Sequence, residues 1–113
     1  MTLGQKQELF MRLLPLLINK AHELGYEIRG GDLFRDPRAF GEFGESKLYS
    51  NSKSMHKLKI AIDLNLFKNG KYLTDSENHR ELGNYWKSLN ELCRWGGDFN
   101  DANHYSLTHW GCA

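Results

Sequence analysis

Three side chains able to hold a metal ion fall at spacings that a small sheet can bring together: His56, Asp63 and His104. Two imidazoles and one carboxylate suit zinc, and a catalytic zinc site keeps three protein ligands while leaving a fourth position to water. Asp101 stands three residues before His104. In a tight connection that is near enough to sit beside such a water. A carboxylate that is not itself a ligand can take the water's proton during attack and pass it on afterwards. On spacing alone the assignment stays open, because either histidine could equally be hydrogen-bonded at a core edge and Asp63 could be a solvated charge. Asp is depleted in the middle of strands, which weights Asp63 towards chemistry.

The elements that must position these residues are readable from periodicity. Lys59 to Phe67 alternates: Ile60, Ile62, Leu64 and Leu66 point one way, while Ala61, Asp63, Asn65 and Phe67 point the other. A half-buried strand with Asp63 turned away from the core is expected. Asn69-Gly70 is a two-residue hairpin signal, so the chain should fold back through Lys71, Tyr72 and Leu73 as an antiparallel partner. His104 to His109 has the composition of a last strand. There Tyr105 and Leu107 should face the core, and His104, Ser106 and Thr108 should face the site.

Around this sheet, the spacing of Phe10, Leu13, Leu14, Leu17, Ala21 and Leu24 predicts an amphipathic helix from Gln5 to Leu24, ended by Gly25. Pro15 inside it predicts a kink or a junction of two shorter helices. Thr74-Asp75-Ser76-Glu77 offers N-cap chemistry for a second helix running to about Cys93, with Leu82, Tyr85, Trp86, Leu89 and Leu92 on its buried side. Tyr26 to Phe34 reads as a short strand, and Asp36 to Ser54, rich in Gly, Ser and Asn, as a long loop of the kind that lines or covers a site. Trp95-Gly96-Gly97 reads as a turn, with Asp98 in a turn or supporting role. His22 and His79 fall in helices, where solvent or ordinary packing is expected, and His109 on the core side of the last strand.

Composition narrows the function classes. The 113 residues fit one domain spanning 1–113, and 40% hydrophobic with 12% aromatic residues can support a core. Lys+Arg 15 against Asp+Glu 14 gives a net charge of +1, with the basic residues scattered. A patch that could neutralise a phosphate backbone is missing, which argues against nucleic acid as a partner. Cys93 and Cys112 form no Cys-x-x-Cys pair and read as free thiols in a reducing compartment, Cys93 in a structural place. The most apolar stretch, Leu9 to Ile18, carries Arg12 and Pro15 and is far short of a bilayer span of about 20 residues. Neither a signal peptide nor membrane insertion is expected.

Taken together, Asn51-Ser52-Lys53-Ser54-Met55-His56 followed by Ala61-Ile62-Asp63-Leu64 resembles the Ser-x-His-x-x-x-x-Ala-x-Asp signature of the zinc D-alanyl-D-alanine carboxypeptidase and dipeptidase family. Asp101-Ala102-Asn103-His104 resembles the same family's acidic-x-x-His element. The run from Asp63 to Thr74, Leu82-Gly83-Asn84-Tyr85-Trp86 and Trp95-Gly96-Gly97 are similar to the compact phage endolysin branch, whose members cut the L-alanyl-D-glutamate bond. The resemblance extends from about Gln5 to Gly111. It implies an α+β fold with a small antiparallel sheet carrying the zinc site, packed against N-terminal and central helices. It also implies His56, Asp63 and His104 as Zn2+ ligands, Asp101 as the base, Arg35 at the substrate or the developing oxyanion, and Ser54 at the substrate. Spacing alone would leave Arg35 on the surface and Ser54 capping a turn. Lys59 stands where many relatives have Gly, and Ala102 and Trp110 where Gly and Asn are more usual, which touches pocket shape more than activity.

The activity so implied is hydrolysis of a peptidoglycan stem-peptide bond, L-Ala-D-Glu, by a monomer made in the cytoplasm and released to the cell wall through a phage-encoded pore. Two alternatives stay open. One is a DD-carboxypeptidase or dipeptidase acting on D-Ala-D-Ala, and the other is a non-catalytic wall-binding module braced by zinc.

Overall fold

The computed structural model describes residues 1–31 and 58–109. Thr2 opens the first element through a capping box: its hydroxyl accepts from the Gln5 backbone N–H, and the Gln5 side chain accepts from the Thr2 backbone N–H. Helix α1 (Leu3–Glu23) follows and buries Phe10, Leu13, Leu14, Leu17 and Ala21, the stripe that the three- and four-residue spacing marks. Of the kink or junction expected at Pro15, the junction does not form, for α1 is one helix with Pro15 inside it. Pro15 and Met11, the residue whose carbonyl loses its helical donor, are both exposed, so water can take that bond. Gly25, at φ +91°, supplies the left-handed step that ends α1.

Among the described residues, five antiparallel strands form one sheet: β1 (Glu27–Gly30), β2 (Ala61–Lys68), β3 (Lys71–Tyr72), β4 (Cys93–Trp95) and β5 (His104–Leu107). Their order is β1-β2-β5-β4, with β3 beside the far end of β2. The expected hairpin is present, with Asn69 at φ 53° and Gly70 at φ 77°. Positive φ at both central residues is the type I′ turn whose twist suits paired strands. Along β2, Ile62, Leu64 and Leu66 are buried, as is Ile60 just before it, while Asp63, Asn65 and Phe67 are half-buried.

The second helix begins as the cap chemistry predicts. The Asp75 carboxylate accepts from the Glu77 N–H, one 3-10 turn spans Ser76–His79, and helix α2 (Arg80–Leu89) continues from it. It stops short of Cys93, however, and Cys93 lies on β4. Asn90 is the reason: its backbone is extended, its side chain accepts from the Leu92 N–H, and its carbonyl accepts from the Cys93 N–H. The asparagine thus offers the backbone a local turn in place of another helical one. Phe10 of α1, Trp86 of α2 and Tyr105 of β5 meet edge to face at the centre of the core, with ring centroids 5.8 and 6.4 Å apart. The Trp86 indole N–H reaches both the Arg94 and Ser106 carbonyls at 3.1 Å, fastening α2 to the β4–β5 pair. This is an α+β fold, as expected. Among the described residues no helix is long and apolar enough to cross a membrane.

Candidate metal centre

The register of β2 against β5 makes Asp63 and His104 direct cross-strand partners, so their side chains rise from the same face of the sheet. His104 turns its Nδ1 towards two carboxylates, 3.6 Å from Asp63 Oδ1 and 3.9 Å from Asp101 Oδ2. One ligand atom from each of the three residues lies within 4.8 Å of the others. Burial differs sharply across the group: the side chains are 6% exposed at His104, 18% at Asp63 and 54% at Asp101. The ring of Phe99 stands edge to face on the His104 imidazole, centroids 5.6 Å apart, and limits how that ring can turn.

Asp101 and His104 are placed by a backbone-locked loop. After β4 the chain makes a 3-10 turn over Gly96–Phe99 and reverses at Asn100, whose φ is 63°. The Asp101 N–H then donates to the Gly96 carbonyl at 2.7 Å, and the His104 N–H to the Asp101 carbonyl at 3.0 Å. The Trp95 indole N–H donates to the Ala102 carbonyl at 2.7 Å, while the indole itself packs against Gly83 of α2 and Gly97. On the other edge of β2, the Gly31 N–H donates to the Asp63 carbonyl at 2.7 Å, and a Cβ on Gly31 would approach the Asp63 Cβ to 2.9 Å. Both flanks of Asp63 are therefore fixed by main chain, and the two strands leave little freedom in the Asp63–His104 spacing.

Of the residues singled out in the sequence, the structure brings Asp63, Asp101 and His104 together. His56, Ser54, Arg35 and the long loop lie outside the described residues. The side of β5 that carries His104 is enclosed rather than open, for His104, Tyr105, Ser106 and Leu107 are all buried. β5 is interior to the sheet, paired on both edges, and alternation there separates two covered faces. Lys59 takes φ 62°, a left-handed conformation that accounts for Gly being usual at this position. Asp98 is exposed and pairs with Lys87 at 3.0 Å. Cys93 is a buried free thiol whose pKa burial pushes up to about 12, an inert structural residue. His109 is buried as expected, and burial followed by the nearby Lys6 charge lowers its pKa.

Of the two places open to His79, solvent or ordinary packing, the structure takes the second. Far from solvent, it is 4% exposed, and its Nδ1 lies 2.7 Å from the Tyr105 hydroxyl. Its signal was the stripe His79, Leu82, Trp86 at three- and four-residue steps, which puts it on the core side of the helix. His79 is also part of the wall of a cavity of about 300 Å³ that includes Asp101.

Burial pulls the His79 pKa from 6.5 down to about 4, so the folded chain keeps the ring neutral while the unfolded chain takes up a proton below 6.5. The stability contributed is whole above pH 6.5 and is lost as pH falls through about 4, a total of roughly 3 kcal/mol. Urea denaturation of the native protein and His79→Asn at pH 7 and pH 4.5 should show the native protein losing roughly 2–3 kcal/mol more than the variant on acidification. Equal losses would mean that the ring is not held neutral.

Two carboxylates and an imidazole converging from rigid main chain fit a divalent cation by the chemistry of the donors. The model of a protein family described as D-alanyl-D-alanine carboxypeptidase matches residues 49–107, more than half of the chain, and spans Asp63, Asp101 and His104. No curated protein matches the chain.

Proposed function

This chain belongs to the D-alanyl-D-alanine carboxypeptidase family, and from that premise we propose that it is a zinc endopeptidase cutting the L-Ala-D-Glu bond of peptidoglycan stem peptides, in the manner of phage endolysins. Membership makes it a peptidase directed at peptidoglycan. The observation that carries the metallopeptidase chemistry is the fixed pairing of Asp63 with His104 and the exposed Asp101 carboxylate on their flank. His56, Asp63 and His104 would hold the ion, His104 through Nδ1. The resemblance of the segment from Asp63 to Thr74 to the endolysin branch supports the choice of bond, and with it release to the wall through a phage-encoded pore.

When bound, zinc supplies Lewis acidity that brings a water's pKa towards 7 and polarises a carbonyl. The chain's own part is proton handling and orientation. Asp101 takes a proton from the attacking water as its oxygen bonds to the peptide carbon. The C–N bond then breaks, and Asp101 returns the proton to the leaving nitrogen. Its exposure suits this role, since the group must meet both water and substrate. Arg35 is assigned to the oxyanion and Ser54 to the substrate, both on resemblance.

Metal analysis of the purified protein with an assay on purified sacculi tests the reading. We expect one zinc per chain and release of peptides carrying a new N-terminal D-Glu. The family's own description supports a second reading, DD-carboxypeptidase, which would instead release free D-alanine. Zinc without any hydrolysis would leave a wall-binding module, a role for which an exposed carboxylate beside the ligands has no use.

A further inference from the structure

The cavity that Asp101 shares with His79 has a donor and acceptor pattern of its own. Thr74, Ser76, Asn100 and Asn103 add hydroxyls and amides to its wall, and among the described lining residues Asp101 is the only charged side chain, with no Lys or Arg. We propose that this cavity is the subsite for the residue carrying the leaving nitrogen, and that it selects an uncharged carboxamide over a carboxylate on that residue.

This rests on the peptidase reading, through the path of the proton. Asp101 must hand a proton to the leaving nitrogen, so the residue bearing that nitrogen has to pass against Asp101 and hence over the cavity mouth. At about 300 Å³ the cavity lies at the small end of ligand pockets, suited to one residue. His79 then sets the polarity of its floor. Tyr105 is fully buried, burial raises the pKa of its hydroxyl, and its one hydrogen-bond partner among the described residues is His79 Nδ1. The hydroxyl therefore donates to Nδ1, which fixes the ring proton on Nε2. Nε2 is the ring nitrogen left to the cavity, and it is a donor.

A carboxamide matches both ends: its carbonyl accepts from His79 Nε2–H, and its NH2 donates to Asp101 or an asparagine. A carboxylate would meet Asp101 with no Lys or Arg among the described lining residues, and two like charges in a partly desolvated site repel. For an L-Ala-D-Glu bond, the preferred stem peptide is therefore the one whose glutamate α-carboxylate is amidated.

The test is direct binding to the metal-loaded protein as purified, labelled with 15N-histidine, and titrated with D-isoglutamine and separately with D-glutamate. We expect D-isoglutamine to shift the His79 ring resonances with at least tenfold lower Kd than D-glutamate. His79→Asn keeps an amide where Nδ1 meets Tyr105 but has nothing at Nε2, and should bind D-isoglutamine about tenfold more weakly. If that variant does not fold, the titration of the native protein still decides. No His79 shift with D-isoglutamine, or equal binding of D-glutamate, overturns the proposal. Sacculus digestion separates the two readings: digestion without a His79 response sinks the subsite alone, whereas a selective His79 response without digestion sinks the peptidase reading and the leaving-group assignment with it, and upholds only the cavity's selection of a carboxamide.

Discussion

Asp101→Ala should bind zinc as the native protein does and hydrolyse sacculi about a thousandfold more slowly, while His104→Ala should lose both metal and turnover. The asymmetry follows from how the two residues are held. What the loop needs from Asp101 is main chain, its N–H on the Gly96 carbonyl and its C=O under the His104 N–H, and both survive truncation at Cβ. What is lost is an exposed carboxylate that shuttles a proton, a contribution of about 10²–10⁴ in rate. His104 is different: its ring is buried against Phe99 and directs Nδ1 at Asp63, so its removal deletes a donor from the centre of the site. Zinc content by mass spectrometry and peptide release from sacculi read the two effects separately. An Asp101→Ala protein without zinc would make Asp101 a ligand, and one with full activity would move the base elsewhere.

The parts of this site that were legible in the sequence are those that local periodicity determines. The alternation through Ile60, Ile62, Leu64 and Leu66 put Asp63 on the opposite face of β2, and Asn69-Gly70 announced the hairpin. The parity of Tyr105 and Leu107 likewise set His104 on its own side of β5. Alternation assumes that one face is wet, however, and it could not show that β5 would be enclosed between β2 and β4. The end of α2 was hidden for another reason: Leu89 and Leu92 continue a helical stripe, and only the side-chain turn at Asn90 breaks it. β4 was equally unreadable, because three residues carry too little pattern. The stripe of His79, Leu82 and Trp86 carries the burial of His79, but its bond to the Tyr105 hydroxyl, 26 residues away, is a tertiary contact that no local pattern encodes.

Gly96→Ala should damage fold and site together, by about 2–4 kcal/mol of stability and at least a hundredfold in turnover. The backbone at Gly96 is not in the left-handed region, so the effect is steric. A Cβ there would overlap the Asp101 carbonyl and come within 2.7 Å of the His104 Cβ. Neither neighbour is the movable end of a long side chain; one is backbone, and the other is the first side-chain carbon of a buried histidine. Relief requires the 3-10 turn to open, and that pulls on the hydrogen bond from the Asp101 N–H to the Gly96 carbonyl. The base and a ligand would then shift as a unit, and a displacement of about 1 Å is enough to cost the expected rate. Gly30→Ala is the matched control, since nothing lies within 4 Å of its Cβ position; it should stay within about 0.5 kcal/mol of the native protein. Thermal melts of the two variants beside zinc content and sacculus hydrolysis distinguish the outcomes. If Gly96→Ala melted with the native protein and digested sacculi at the native rate, the main-chain lock from Gly96 to Asp101 would not be what aligns the site.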